Sequence, residues 1–198
     1  MKRLLVFAGM VLTIGGTATA QSTQWQLDPN HSSTQFSVRH MGISTVRGTF
    51  TKLSGTGQYD PTNPSNDLVE VTIDTASVDT RVQMRDNDLR SDHFFDTQKY
   101  PAMTFKSTKF EAAGGGRLKV TGDLTIHGVT KPITLDVEGP SKPVDDGHGH
   151  KHMGVAASGT VNRTDFGMTG AQGMVGNEIS LTIDAEFVRV SHATADPK

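Results

Sequence analysis

Six stretches of this chain alternate apolar and polar residues with a period of two, the spacing of half-buried β-strands, and no helical period is sustained. Thr34, Phe36, Val38 and His40 share one face, with Gln35, Ser37 and Arg39 opposite. Val69, Val71 and Ile73 form a second stripe, Leu118, Val120, Gly122, Leu124 and Ile126 a third, and Ile133, Leu135 and Val137 a fourth. Met153, Val155, Ala157, Gly159 and Val161 make the fifth, and Ile179, Leu181, Ile183, Ala185 and Phe187 the last. Turn-forming residues separate the runs: Asp60-Pro61, Asn63-Pro64, Gly114 to Gly116, Gly139-Pro140 and Gly173 to Asn177. His127 to Lys131 reads as a hairpin tip, with Pro132 opening the next strand. One apolar face and one face of Thr, Asp, Glu and Lys describe antiparallel pairing with a single wet side. A closed barrel or a two-sheet sandwich satisfies that pattern. Gly122, Ala157, Gly159 and Ala185 lie within the apolar stripes, where a filled sandwich wants bulk. In a barrel they leave room for a guest, although glycines there equally mark bulges or bends.

One segment breaks the rhythm. Ser77 to Ser91 carries Val78, Val82, Met84, Arg85 and Leu89 with little alternation, which predicts a short helix over Arg81–Arg90. Asp86, Asp88 and Asp92 read as solvated charges around it. No internal repeat is present, and Pro140 to His152 is the only low-complexity stretch.

The N-terminus has a different character. Met1-Lys2-Arg3 is basic, Leu4 to Ile14 is mostly apolar, and Ala18-Thr19-Ala20 offers small residues at a cleavage point. Eleven apolar-core residues are too few to span a bilayer. The expectation is a cleaved secretory signal over residues 1–20, a single barrel domain over 21–198, and residence in a periplasm. The mature chain of 178 residues (198 minus 20) suits one domain with a sizeable core. Losing Lys2 and Arg3 takes the basic residues from 19 to 17 against 21 acidic ones, a formal charge of about −4. Nucleic acid and anionic membranes are poor partners for such a chain. There is no cysteine, hence no disulfide and no lipoprotein anchor after the signal, so a soluble product is expected.

Several longer stretches carry a resemblance. They are Trp25-Gln26-Leu27-Asp28-Pro29-Asn30-His31-Ser32, Phe36-Ser37-Val38-Arg39-His40-Met41 and Val46-Arg47-Gly48-Thr49-Phe50. Leu89-Arg90-Ser91-Asp92-His93-Phe94-Phe95-Asp96 and Tyr100-Pro101-Ala102-Met103-Thr104-Phe105 follow. Gly122 to Pro132 and Asn162-Arg163-Thr164-Asp165-Phe166-Gly167-Met168 complete the series. Together they span Trp25 to about Val190 and resemble the YceI-like family of lipocalin-like bacterial polyisoprenoid-binding proteins. The resemblance implies an all-β fold, an extended antiparallel lipocalin-like β-barrel of about eight strands with one short helix. It also implies a tunnel for a polyprenyl lipid, isoprenoid quinone or fatty amide, no catalysis, no cofactor, and a homodimer as in many members.

The physics of such a tunnel is undemanding. Each CH₂ moved from water into an apolar lumen is worth roughly 0.8 kcal/mol, so ten give about 8 kcal/mol, near micromolar before ordering costs. Phe36, Val38, Phe50, Val71, Met84, Phe94, Phe95, Met103, Phe105, Val120, Leu124, Phe166 and Met168 are the candidates for wall or lid, each of which ordinary core packing would equally explain. His40, sharing a face with Phe36 and Val38, is the polar candidate for a head group, and His31 is similar. Arg163 and Asp165 read as a pair pinning the loop around Phe166.

Other chemistry finds little support. No Gly-x-Ser-x-Gly elbow, His-Glu-x-x-His helix or phosphate loop occurs. Asp86-Asn87-Asp88 opens like a calcium loop, but Arg90 stands at the next ligand place. Asp145-Asp146-Gly147-His148-Gly149-His150-Lys151-His152 is the sharpest alternative. In an extended strand His148, His150 and His152 point one way, a set suited to Zn²⁺ or Cu²⁺, while the two glycines loosen it. A carrier of an isoprenoid-type lipid is the function expected, with a metal-binding or stress-response protein and a lipid-modifying enzyme as rivals.

Overall fold

The computed structural model describes residues 23–190; the expected signal over residues 1–20 lies outside them. The strands are β1 (Thr23–Leu27), β2 (Ser33–His40), β3 (Ser44–Phe50), β4 (Leu53–Tyr59), β5 (Leu68–Asp74) and β6 (Val78–Asp79). After helix α1 (Gln83–Arg90) come β7 (Ala102–Gly114), β8 (Arg117–Ile126), β9 (Val129–Glu138), β10 (Val144–Asp145), β11 (Lys151–Asn162) and β12 (Val175–Arg189). Eight of them close a ring in the order β11-β9-β8-β7-β5-β4-β1-β12, with β12 returning to β11. All pairings are antiparallel. The result is an all-β, lipocalin-like barrel with a single short α-helix among the described residues, as the alternation and the resemblance imply.

Strand β12 sets the axis. One edge pairs with β11 along most of its length, from Asn162↔Glu178 to His152↔Val188. The other edge is shared: β2 takes Val175 to Asp184 and β1 takes Phe187 to Arg189. The rim where β12 begins is here the upper rim, and the rim where it ends the lower. Strands β3 and β6 extend the sheet beyond β2.

Local chemistry explains the joints. His127 and Gly128, with φ of 52° and 74°, form the two-residue turn between β8 and β9. Positive φ at both central residues matches the strand twist, and glycine takes it without strain. Register then runs unbroken from Ile126↔Val129 to Arg117↔Glu138. Pro132 does not open β9 but sits inside it, opposite Asp123. It is tolerated there because β9 pairs with β11 only from Asp136 onward, leaving its first half an edge.

Helix α1 begins at Gln83, two residues later than predicted, because Arg81 holds a left-handed φ of 64°. Val82 supplies no capping side chain. Asp86 acts instead: it is 6% exposed, not solvated as expected. Its carboxylate accepts from the Thr80 backbone N–H at 2.9 Å and from the Thr80 hydroxyl. Asp88 and Asp92 are exposed, as expected.

Three apolar clusters build the interior of the barrel. Phe50, Val78, Met103, Ile126, Val161, Phe166 and Met168 pack near the upper rim, with Leu89 of α1 and Phe95 against them. Trp25, Leu27, Leu53, Met153 and Phe187 pack at the lower rim. Val120, Leu135 and Val137 lie along β8 and β9. The outward faces carry charge, as in the pairs Lys106–Glu70 and Lys119–Asp136.

Candidate functional site

A cavity of about 260 Å³ runs inside the barrel. Every strand of the closed ring contributes to its wall. The wall is apolar apart from a few groups, chiefly Thr34, Gln58, Tyr59, Asp67, Thr104 and Arg163. It extends from Gln58, Asp67 and Pro140 at the lower rim to Phe94, Met168 and Arg163 at the upper.

The structure places Phe36, Val38, Phe50, Val71, Phe94, Phe95, Met103, Phe105, Val120, Leu124 and Met168 on this wall. Strand parity delivers most of them, since alternate residues of β2, β5 and β8 face one way. Phe94 and Phe95 come from the loop after α1 and reach the lumen at the upper rim. The Phe95 ring meets that of Phe50 edge-on, with centroids 5.6 Å apart.

Four expected positions fall elsewhere. Met84 is 81% exposed, on the outer face of α1, so it is not part of the wall or lid. The helix puts its Leu89 face inward instead, and Met84 and Leu89 are not on one helical face. Phe166 is 1% exposed and packs in the upper cluster behind the lumen rather than on it. His40 ends β2 opposite Ser44 and Val175, beyond the wall residues Phe36 and Val38. His31 lies outside the barrel, its Nδ1 2.8 Å from Asp28.

Arg163 does not pair with Asp165. Its guanidinium, 2% exposed, donates to four backbone carbonyls: Gly176 at 2.9 Å, Met168 at 2.8 Å, Gly170 at 2.7 Å and Val175 at 3.1 Å. It ties the loop after β11 to the start of β12, and burial pushes its pKa below the ordinary value. Nothing in the sequence separates this arginine from a surface one, because its acceptors are main-chain atoms. Leu53 and Phe110 were missed on the wall because glycines or a bulge break their strands' alternation, and Leu27 because β1, though it alternates Trp25 and Leu27 with Gln24 and Gln26, is only five residues long.

The small residues divide into two kinds. Ala157 and Ala185 line the cavity and leave it space. Gly122 and Gly159 do not. A Cβ on Gly122 would strike the Phe105 ring, and one on Gly159 would come within 2.7 Å of Leu135. Those two glycines house neighbouring protein side chains, not a guest.

At the lower rim a polar cluster stands outside the lumen. His152 Nδ1 is 2.7 Å from Glu186 Oε1. Asp146 accepts from the backbone N–H groups of His148 and His150, at 2.7 Å and 3.1 Å, which hold its carboxyl well below the usual carboxylate range. Glu186 beside His152 raises that imidazole's pKa, against a smaller opposing effect of burial.

Comparison with known proteins agrees with the geometry. A family model described as a YceI-like domain matches residues 25–187. The protein YceI of Escherichia coli O157:H7 is 39% identical over 185 residues, covering 93% of this chain and 95% of that one. The crystal structure of the YCEI protein of Campylobacter jejuni superposes with a TM-score of 0.68 at 35% identity, covering 78% of this chain and 90% of that one. A polyisoprenoid binding domain from Saccharophagus degradans shares the fold at 18% identity, with a TM-score of 0.64 and coverage of 86% and 100%. Barrel, motifs and sequence identity converge, and the chain belongs to the YceI-like family.

Proposed function

We propose that this protein is a non-catalytic binding protein that holds a long-chain isoprenoid-type lipid (a polyprenyl lipid, an isoprenoid quinone or a fatty amide) in the barrel and carries or stores it in the periplasm. The observation that carries the reading is the cavity itself: rim to rim, an apolar wall enclosed by a charged exterior. Transfer of an alkyl chain into such a space follows the area it removes from water, so tail length rather than directed polar contacts sets the affinity. The fold relative from Saccharophagus degradans, described as a polyisoprenoid binding domain, supports the ligand class. The basic start, apolar core and small-residue cleavage point of residues 1–20 support export.

Catalysis has little to work with inside the lumen. Its charged wall residues, Asp67 and Arg163, stand at opposite rims, and Arg163 is committed to four carbonyls. The test is native mass spectrometry of protein taken from the periplasm. A bound lipid of several hundred daltons, recovered unaltered after incubation, is expected. An empty barrel that takes up neither quinone nor polyprenol would overturn the reading.

A further inference from the structure

The lower-rim cluster lies outside the residues that line the cavity, and one of its atoms is out of place for a purely structural role. His152 Nε2 is buried and has no hydrogen-bond partner. The opposite ring nitrogen is occupied, since Nδ1 lies 2.7 Å from Glu186 Oε1. A carboxylate can only accept, so Nδ1 carries a proton and, in the neutral ring, Nε2 carries a lone pair. That lone pair faces Asp146 Oδ2, another acceptor, at 3.5 Å. The place between them suits a positive charge, which either a second proton on the ring or a metal cation bound by both groups supplies.

The distance fits a metal cation. Zinc binds imidazole nitrogen at about 2.0–2.1 Å and carboxylate oxygen at about 2.0–2.2 Å, so two ligands of a tetrahedral ion stand about 3.4 Å apart. Asp146 Oδ2 also lies 3.0 Å from His150 Nδ1. The carboxylate is thus the common neighbour of two imidazoles. Gly147 and Gly149, with φ of 76° and 93°, supply the backbone freedom to bring His150 round, and His148 lies between them. Glu186 stands where metal-binding histidines ordinarily have a carboxylate, fixing the tautomer and the ring plane.

We propose that Asp146, His150 and His152 bind a divalent transition-metal cation of the zinc class, with Glu186 as a positioning residue behind His152. A nearby trio, Asp28, His31 and Glu186, has its ligand atoms within 4.8 Å of one another, a convergence that Asp146, His150 and His152 reach only when His150 turns. There Asp28 and His31 already satisfy each other at 2.8 Å, and no buried atom lacks a partner. The orphaned nitrogen assigns the ion to the other side of Glu186.

Calorimetric titration of untagged mature protein with Zn²⁺, with Co²⁺ absorption as a second readout, tests this. One equivalent is expected to bind, and Co²⁺ to give the intense visible bands of a tetrahedral site. His150→Ala, at an exposed loop position, is expected to fold normally and lose binding by at least tenfold. Glu186→Gln is expected to weaken it about 10–100-fold, and His31→Ala to leave it unchanged. Absence of one-to-one binding in the wild type, binding unaltered in His150→Ala, or loss caused by His31→Ala alone would each overturn the assignment. Lipid uptake by His150→Ala should equal that of the wild type, which separates failure here from failure of the carrier reading.

Discussion

Gly122 and Asp60 show how single residues hold this barrel together. Gly122 faces Ser107 across the β7–β8 pair, and Phe105 lies over it. Alanine at this position would need the Phe105 ring to swing away and would also approach the Lys106 carbonyl at 2.6 Å, where the backbone itself must give. Gly122→Ala is therefore expected to cost about 1–3 kcal/mol in urea unfolding, the usual scale for overpacking. A change below about 0.5 kcal/mol would show that the sheet accommodates a methyl group there. Asp60 works through charge. Its carboxylate accepts from the Thr62 hydroxyl at 2.6 Å, the Asn66 side-chain amide at 2.9 Å and the Thr62 and Asn63 backbone N–H groups. These bonds, the Thr62 hydroxyl first, bring its pKa from 3.8 down to about 2. A carboxyl whose folded pKa is depressed contributes stability that is complete above its unfolded value and is lost as pH falls through the folded one. Asp67 alongside runs the opposite way, its pKa raised mainly by burial. The Tm of the wild type should thus fall more steeply between pH 4 and pH 2 than that of Asp60→Asn. Parallel curves for the two proteins would deny Asp60 that role.

Elements were readable from sequence where a long strand keeps its period, and unreadable where the strand is short, as in β1, or where a bulge or repeated glycines break the stripe, as in β7 and β4. β2, β5, β8, β9, β11 and β12 each display a stripe, and each is a strand. β4 escapes notice because its inward positions include Gly55 and Gly57, which have no side chain to announce a face. β7 escapes because Phe105 and Phe110, both on the lumen wall, are an odd number of residues apart. The register shift between Ser107 and Lys109 explains it: one extra residue, Thr108, resets the alternation. The helix was visible as a gap in the rhythm, but not its start, which depends on the left-handed Arg81 and on Asp86 reaching back to Thr80. The same physics gives a paired test. Deleting Thr108 removes the supernumerary residue and keeps Phe110 inward, so a folded barrel is expected. Deleting Thr121, opposite Lys109 in the regular strand β8, turns either Val120 and Leu118 or Leu124 and Ile126 to solvent. Circular dichroism and thermal melts should show a cooperative transition for the first variant and none for the second. Two equally stable proteins would mean that register in this barrel is not set by its apolar face.

At the scale of the whole molecule, the lumen is maintained by a division of labour between large and small wall residues. Phe36, Phe50, Phe95 and Phe105 bring half of the wall's aromatic residues, and some of that bulk is parked over glycines: Phe36 over Gly48 and Phe105 over Gly122. Ala157 and Ala185 on β11 and β12 carry nothing that reaches across. A cavity of this kind costs stability when empty, because its lining lacks partner atoms on one side. A guest restores those contacts and couples occupancy to folding: at a free concentration one hundred times its Kd it adds about 2.7 kcal/mol. Filling the space with protein should imitate the guest and exclude it. Ala157→Phe is accordingly expected to fold, to melt no lower than the unliganded wild type, and to lose the Tm increase that an added isoprenoid quinone gives the wild type. The comparison separates lumen from surface, since a quinone adsorbed on the outer face would raise both melting temperatures alike. If Ala157→Phe still gained the full increase, the bound chain would have to lie somewhere other than between β11 and the opposing wall.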